Sequence, residues 1–336
     1  MAEVKPLSGN NRVLLEKVLP LETPFSVYIF PTNACNFRCN YCAQSLGKTG
    51  LAEQFGITPS HMDIKTFAKI VEQLKMFPQK IRTVNLTGHG EPLLNPALPD
   101  MIQMLKKADV TNHIEFISNA SVLTPKLSKR LIDAGLDTIR ISLQGLSADK
   151  YQEICGYKLD YVNFVENIRW FFQNKKQCRI FIKIMDIALN PGEEYLFYDT
   201  FSPIADRVFI EACKPVYQGV KSTDDIPVTS DRYGREHSPR IVCPLCFFML
   251  GIFPNGDISP CETIYKPELL GNVSNTTLVD AWSGAKRRDF LKMQLEKKRY
   301  EHPQCRRCSA PDDVSHPEDV LDNAADALLE RMGLLG

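Results

Sequence analysis

The 336-residue chain has no apolar run approaching the roughly 20 residues needed to span a bilayer. Its most apolar stretch, Cys246 to Phe253, is far shorter. A secretory signal is also missing, since the opening MAEVKPLSGNNRVLLEKV has no apolar centre. There is no surplus of charge. The 40 Lys and Arg balance 40 Asp and Glu, which argues against a dedicated nucleic-acid or anionic-membrane binder. Internal repeats and low-complexity tracts are absent. A globular protein of the cytoplasm is therefore expected, with neither nucleic acid nor membrane as a partner. The length suits about two domains, or one barrel with an appendage. Such a chain buries a core without disulfide staples.

Cysteine, by contrast, is abundant. Eleven is an odd number, and reducing compartments disfavour structural disulfides. Cys35, Cys39 and Cys42 cluster near the start, and Cys243, Cys246, Cys261, Cys305 and Cys308 near the end. Clustered thiolates in such a compartment point to metal. Cys155, Cys178 and Cys213 stand apart and read as small buried hydrophobes.

From Pro24 to Cys213, strand-like and helix-like segments alternate. Strands are expected at Ser26–Pro31, Arg82–Thr87, His113–Ser118, Asp137–Ser142, Arg179–Met185 and Arg207–Cys213, each short and rich in β-branched or aromatic residues. Met62 to Phe77 places Phe67, Ile70, Val71 and Leu74 on one helical face, and Tyr161 to Asn174 does the same with Phe164, Ile168 and Phe171/Phe172. Thr124-Pro125 has the order of a helix start. Six such alternations imply an α/β fold with a parallel sheet, either an open doubly wound sheet or a partial barrel. In both, ligands gather at the carboxyl ends of the strands. The expected organisation is an N-terminal arm (1–24), a barrel (25–215), a polar linker (216–240), a Cys-rich module (241–312) and a C-terminal helix (313–336). That last helix is expected to open at the capping-box spacing Ser315 to Glu318, with Val320, Ala324, Leu328 and Met332 aligned.

Cys35-x3-Cys39-x2-Cys42 follows the first strand. Structural zinc takes four ligands and this loop offers three. A cubane iron–sulfur cluster held by three cysteines keeps one iron open, which suggests catalysis. The pattern resembles the signature of the radical S-adenosylmethionine (SAM) superfamily, and the resemblance runs through most of the chain. It implies a partial (β/α)6 barrel. It also implies a [4Fe-4S] cluster on Cys35, Cys39 and Cys42, with SAM bound beside it. Tyr41 would contact the adenine. Gly88-His89-Gly90-Glu91-Pro92 is similar to the family's Gly-Gly-Glu-Pro motif, with His89 inserted, so Gly88, Gly90 and Glu91 would hold the SAM amino group. Ser118-Asn119 resembles a ribose-contacting turn, and Ser142 and Gln144 resemble further SAM contacts. Read alone, the Gly88 and Gly90 stretch is a turn whose glycines supply positive φ.

Cys246-x9-Gly256-x4-Cys261 with Cys305-x2-Cys308 resembles the auxiliary-cluster module called SPASM, in its shortened single-cluster form. That implies an auxiliary [4Fe-4S] cluster on Cys246, Cys261, Cys305 and Cys308, with Cys243 a spare that could replace a ligand or face the substrate. Phe253 to Asp257 would be a hairpin turn. Zinc competes here, because Cys243-x2-Cys246 and Cys305-x2-Cys308 form two knuckles. Zinc would use Cys243 and idle Cys261; the iron–sulfur reading does the reverse.

The resemblance implies reductive cleavage of SAM to a 5′-deoxyadenosyl radical that abstracts a hydrogen atom from substrate, fed by a flavodoxin or ferredoxin donor. Related enzymes oxidise or epimerise sugars and aminocyclitols, or modify ribosomally made peptides. Only the 24-residue arm precedes the expected barrel, short for a leader-binding domain, so a small sugar-like substrate is expected over a peptide. Lys183, Asp186, Glu211 and Cys213 are expected at the pocket. Cys213 or Cys243 would return a hydrogen atom in an epimerase, and Lys183, Asp186 or Glu211 would take a proton in an oxidation. Outside enzymes, the alternative is a zinc-stabilised scaffold.

Overall fold

The computed structural model describes residues 2–6, 12–214, 216, 217, 220, 229–314 and 316–335. Ten strands form one sheet: β1 (Glu3–Val4), β2 (Ser26–Ile29), β3 (Thr83–Asn85), β4 (Ile114–Ser118), β5 (Thr138–Leu143), β6 (Arg179–Met185), β7 (Arg207–Glu211), β8 (Met249–Ile252), β9 (Asp257–Ser259) and β10 (Gly271–Asn272). Their order is β1-β7-β6-β5-β4-β3-β2-β8-β9-β10. Strands β2 to β7 are the six expected from sequence. They lie in unbroken sequence order and are all parallel. A doubly wound sheet reverses its order at a switch point; the β2 to β7 run has no such reversal. The fold is thus α/β, a partial (β/α)6 barrel whose first and last strands, β2 and β7, do not pair with each other.

The helices between the strands follow their sequence signals. Asp63 caps the helix Ile64–Leu74 by accepting from the amides of Lys65 and Thr66, and Phe67, Ile70, Val71 and Leu74 are its buried face. Thr124 caps Pro125–Asp133 through the Leu127 amide. The helix Tyr161–Asn174 buries Phe164, Val165, Ile168 and Phe171. Burial of each such side chain is worth about 1.5–3 kcal/mol, which offsets the chain entropy lost in ordering the helix.

The Cys-rich module is built onto the barrel's own sheet. Strand β8 pairs in parallel with β2, Val27 against Leu250 and Ile29 against Ile252. Strands β9 and β10 then extend the sheet antiparallel, with the expected hairpin at 253–257. A Cβ at Gly251 would lie 2.5 Å from the carbonyl oxygen of Cys261, so only glycine lets that cysteine approach β8. A second core joins Leu15 and Leu19 to Val242, Phe247, Phe290, Leu295, Leu321 and Leu328.

One expectation is corrected. Ser315 lies outside the described residues, and Pro317–Asp319 makes only a single 3-10 turn. The terminal helix spans Ala325–Arg331. The preceding residues are used as ties instead: Asp319 pairs with Arg12, and Asp322 Oδ1 accepts from the amides of Ile241 (3.1 Å) and Val242 (2.6 Å). Of the expected linker at 216–240, positions 218, 219 and 221–228 also lie outside the described residues. No helix among the described residues is long and apolar enough to cross a membrane.

Candidate functional site: two sulfur clusters joined by one cavity

The loop of Cys35, Cys39 and Cys42 leaves the carboxyl end of β2 and is fixed by its neighbours on the next strands. The Phe37 amide donates to Cys35 Sγ at 3.4 Å. Asn36 Nδ2 donates to Ser121 Oγ at 2.8 Å, and Asn119 Nδ2 donates to Asn36 Oδ1 at 3.0 Å. Gln144, buried past the end of β5, accepts from the Cys39 thiol at 3.4 Å and from the Tyr41 hydroxyl. Its amide nitrogen donates to the Ser142 carbonyl at 2.9 Å. Cys155, read from sequence as isolated, lies against Cys39 within hydrogen-bonding reach.

The turn after β3 is pressed onto this loop. A Cβ at Gly90 would lie 2.3 Å from the Ala34 carbonyl oxygen, and one at Gly88 would lie 2.9 Å from Phe30 Cβ. Neither glycine has positive φ. The alternative of plain left-handed turn glycines therefore does not hold: these two are required for close approach. The Glu91 amide donates to the Ala34 carbonyl at 2.8 Å. The Glu91 carboxyl is buried and accepts from Ser118 Oγ (2.7 Å), the Asn119 amide (2.6 Å) and the Leu93 amide (3.0 Å). Burial pushes it up to about 7 against these donors. Glu91, Ser118 and Asn119 thus lock the turns after β3 and β4 together.

The second sulfur site holds all five late cysteines around one hollow, walled also by Gln294 and Arg299. Cys243, expected as a spare thiol or a hydrogen donor, lies here with the other four and not in the large cavity described below. Cys261 is equally inside, where a two-knuckle zinc site would leave it idle. Gln294 accepts from the Cys243 amide at 3.1 Å and donates to Cys305 Sγ at 3.6 Å. Arg287 is buried on the ring of Trp282 and donates to the Cys246 carbonyl at 2.8 Å. It has no carboxylate partner among the described residues, and burial lowers its guanidinium to about 9. A buried cation bonded to the backbone of Cys246 fits an anionic thiolate-bound centre nearby, which would supply the missing countercharge.

Between the two sulfur sites lies a cavity of about 430 Å³, whose lining runs from Tyr41 and Cys42 to Cys308. Strand ends supply most of its walls: Gly88 and His89 after β3, Arg140 on β5, Lys183 on β6, and Glu211 with Cys213 at the end of β7. The charges there are paired. Lys183 Nζ sits 2.6 Å from Glu211 Oε2, Arg232 sits 3.3 Å from the same oxygen, and Arg232 also grips Asp313. Burial opposes the ionised Glu211, but Lys183 and Arg232 outweigh it and hold its carboxyl below the usual range. Burial likewise opposes an ionised Glu115; Arg140, 3.2 Å away at Nε, overrides it and brings that carboxyl to about 2.

Glu262 escaped the sequence reading. It follows Cys261 directly and lines the cavity, and its Oε2 is buried with no hydrogen-bond partner among the described residues. Burial pushes its carboxyl up to about 7. Its place beside a ligand-type cysteine was the only signal in the sequence, and nothing local said which way the side chain faces.

Comparison with known proteins agrees with this geometry. The family model of the radical SAM superfamily matches residues 29–188, and that of an iron–sulfur cluster-binding domain, SPASM, matches residues 243–309, beginning at Cys243. Over 331 residues the chain is 23% identical to a tungsten-containing aldehyde ferredoxin oxidoreductase cofactor-modifying protein of Pyrococcus furiosus, covering 85% of this chain and 87% of that one. The fold is similar to that of BtrN in complex with AdoMet and 2-DOIA (TM-score 0.53, 16% identity, 88% of this chain and 96% of that one). It is also similar to anSMEcpe with bound AdoMet and Cp18Cys peptide (TM-score 0.58, 15% identity, 92% and 96%). Radical SAM proteins bind a [4Fe-4S] cluster and SAM, and SPASM domains carry auxiliary iron–sulfur clusters, so the zinc-scaffold alternative is set aside. The chain belongs to the radical SAM superfamily and carries a C-terminal SPASM iron–sulfur cluster-binding domain.

Proposed function

We propose that this enzyme oxidises a small, polar, sugar- or cyclitol-like substrate by two electrons. The observation that carries this reading is the single cavity running from Cys42 to Cys308 with paired charges and a free carboxyl oxygen on its walls. A volume of about 430 Å³ matches a small-molecule site of the usual size.

Cys35, Cys39 and Cys42 hold the SAM-binding cluster; the auxiliary cluster takes its four ligands from Cys243, Cys246, Cys261, Cys305 and Cys308. Bound there, SAM and the reduced first cluster supply hydrogen-atom abstraction from an unactivated carbon. The protein's own part is placement and proton handling. Gly88 and Gly90 admit the Cys loop to the turn after β3. Tyr41 lines the cavity, and Gln144, held on the Ser142 carbonyl, fixes Tyr41 and Cys39 from behind. Lys183, Glu211, Arg232 and Asp313 form a fixed ladder of donors and acceptors suited to substrate hydroxyls. Glu262 accepts the hydroxyl proton as the carbon is oxidised. Lys183 and Glu211, first considered for that task, are committed to each other. Cys213 lines the same cavity, and a hydrogen-donor role for it belongs to the epimerase alternative.

The test is an anaerobic survey of deuterated sugars and aminocyclitols with SAM and a low-potential reductant. Deuterium appearing in 5′-deoxyadenosine, with loss of two hydrogens from a sugar or cyclitol, supports the reading. Turnover only with a peptide, or inversion at carbon without oxidation, would replace it.

A further inference from the structure

Cys308 stands where three hollows meet: the sulfur-lined hollow, the large cavity, and a surface cleft of about 250 Å³. The charged walls of the cleft are Lys214, Arg299, Arg306, Arg307, Asp312 and Asp313, four cations against two anions. The anions are already engaged. Asp312 lies 3.5 Å from Arg299, and Asp313 is held by Arg232. Arg306 and Arg307 form no ion pair among the described residues: Arg306 is exposed, and Arg307 lies 5.4 Å over the ring of Tyr265. Both belong to the 3-10 turn Cys305–Arg307, between the two cysteines. The turn that leads from the buried Cys305 to Cys308 at the cleft therefore also fixes two uncompensated positive charges beside them.

We propose that this cleft is the docking surface of a small acidic one-electron carrier protein, through which the auxiliary site passes its electron out. The proposal rests on the oxidation reading above. Oxidation of an H–C–OH centre to C=O removes two protons and two electrons. One proton and one electron leave together as the hydrogen atom that ends in 5′-deoxyadenosine. The second proton goes to Glu262. The second electron goes through the auxiliary site to the oxidised carrier, which becomes reduced by one electron. SAM takes up one electron from the reductant and leaves as methionine and 5′-deoxyadenosine, so the protein ends each turnover with no net loss. A cationic collar at the exit steers an acidic carrier by long-range attraction, typically worth about 10- to 1,000-fold in association rate and screened by salt.

The test uses the holoenzyme, reduced with dithionite and desalted, mixed with oxidised flavodoxin as the acidic carrier while flavin absorbance is followed. The wild type should transfer electrons in a bimolecular step that slows steeply with added salt. Arg306→Glu/Arg307→Glu should slow it about 10-fold or more at low salt, with iron content and dithionite-driven SAM cleavage unchanged. Arg306→Lys/Arg307→Lys should stay near wild type, and Lys65→Glu/Lys69→Glu on the exposed helix face should have no effect. A charge-reversed enzyme as fast as wild type, or wild-type transfer indifferent to salt, overturns the docking surface. Failure of the oxidation reading looks different: substrate turnover then delivers no electron to flavodoxin, while transfer from the chemically reduced enzyme still shows the Arg306/Arg307 dependence.

Discussion

The Nε2 atom of His89 lies 2.9 Å from the carbonyl oxygen of Glu262. One residue belongs to the turn after β3 and the other follows a cysteine of the SPASM domain, so this contact spans both halves of the chemistry. A carbonyl oxygen only accepts, so Nε2 carries the proton. The ring is also packed edge-on to Phe30 and near-parallel to Phe253. The residue that breaks the family's Gly-Gly-Glu-Pro pattern thus joins the turn after β3 to the residue that follows Cys261.

Protonation of His89 should weaken the fold. Burial lowers its imidazole to about 4, against 6.5 when free. A base whose pKa falls on folding contributes stability that is whole above about 6.5 and is lost as pH drops through about 4. Denaturant midpoints of the wild type should therefore fall between pH 7 and pH 5. His89→Gln, which keeps a donor but cannot charge, should show a smaller fall over the same interval. An equal fall in both proteins would contradict the assignment.

Gly90→Ala should damage one sulfur site and spare the other. Its Cβ would lie 2.3 Å from the Ala34 carbonyl oxygen, next to Cys35, so the Cys loop must move. The expected product is a folded protein with about four irons in place of about eight, and no SAM cleavage. Full iron content with normal cleavage would show that the loop has room the structure does not give it.

Glu262→Gln removes a proton acceptor without changing shape. Uncoupled SAM cleavage should persist, and oxidised product should fall by about 10²-fold or more, the usual worth of a positioned acid–base group. Cys213→Ala should keep most of its turnover with the true substrate. If Cys213→Ala abolishes product and Glu262→Gln does not, the enzyme is an epimerase of the thiol-donor kind.

Cys243 and Cys246 are adjacent in the sulfur hollow, with Cys246 Sγ 3.4 Å from the Cys243 carbonyl oxygen. Five cysteines face a centre that needs four. Either single alanine variant should retain the auxiliary cluster, and the double variant should lose it, read as iron per chain and by electron paramagnetic resonance of the reduced protein. Loss with one single variant alone would name the obligatory ligand.

The barrel was legible in the sequence because its signals are local. Short β-branched runs, Asp63 and Thr124 at helix starts, and the Phe67 to Leu74 face each announce an element within a few residues. The Cys35, Cys39 and Cys42 loop was legible for the same reason. What escaped was long-range. No local pattern shows that β8 pairs with β2, that Cys155 packs on Cys39, or that Gly90 is small because Ala34 sits against it. Glu262 was missed, and Cys243 was left open between spare thiol, ligand and hydrogen donor, because their roles depend on which hollow they face. The terminal helix was drawn too early because Asp319 and Asp322 are committed to Arg12 and to the 241–242 backbone, contacts a helical periodicity does not register.

The most direct test of the central claim is iron and sulfide per chain after anaerobic reconstitution, with dithionite-driven SAM cleavage measured alongside. Wild type should hold about eight irons and form 5′-deoxyadenosine. Cys35→Ala/Cys39→Ala/Cys42→Ala should hold about four and form none. Zinc in place of iron at the second site, or 5′-deoxyadenosine from the triple variant, would contradict the two-cluster enzyme.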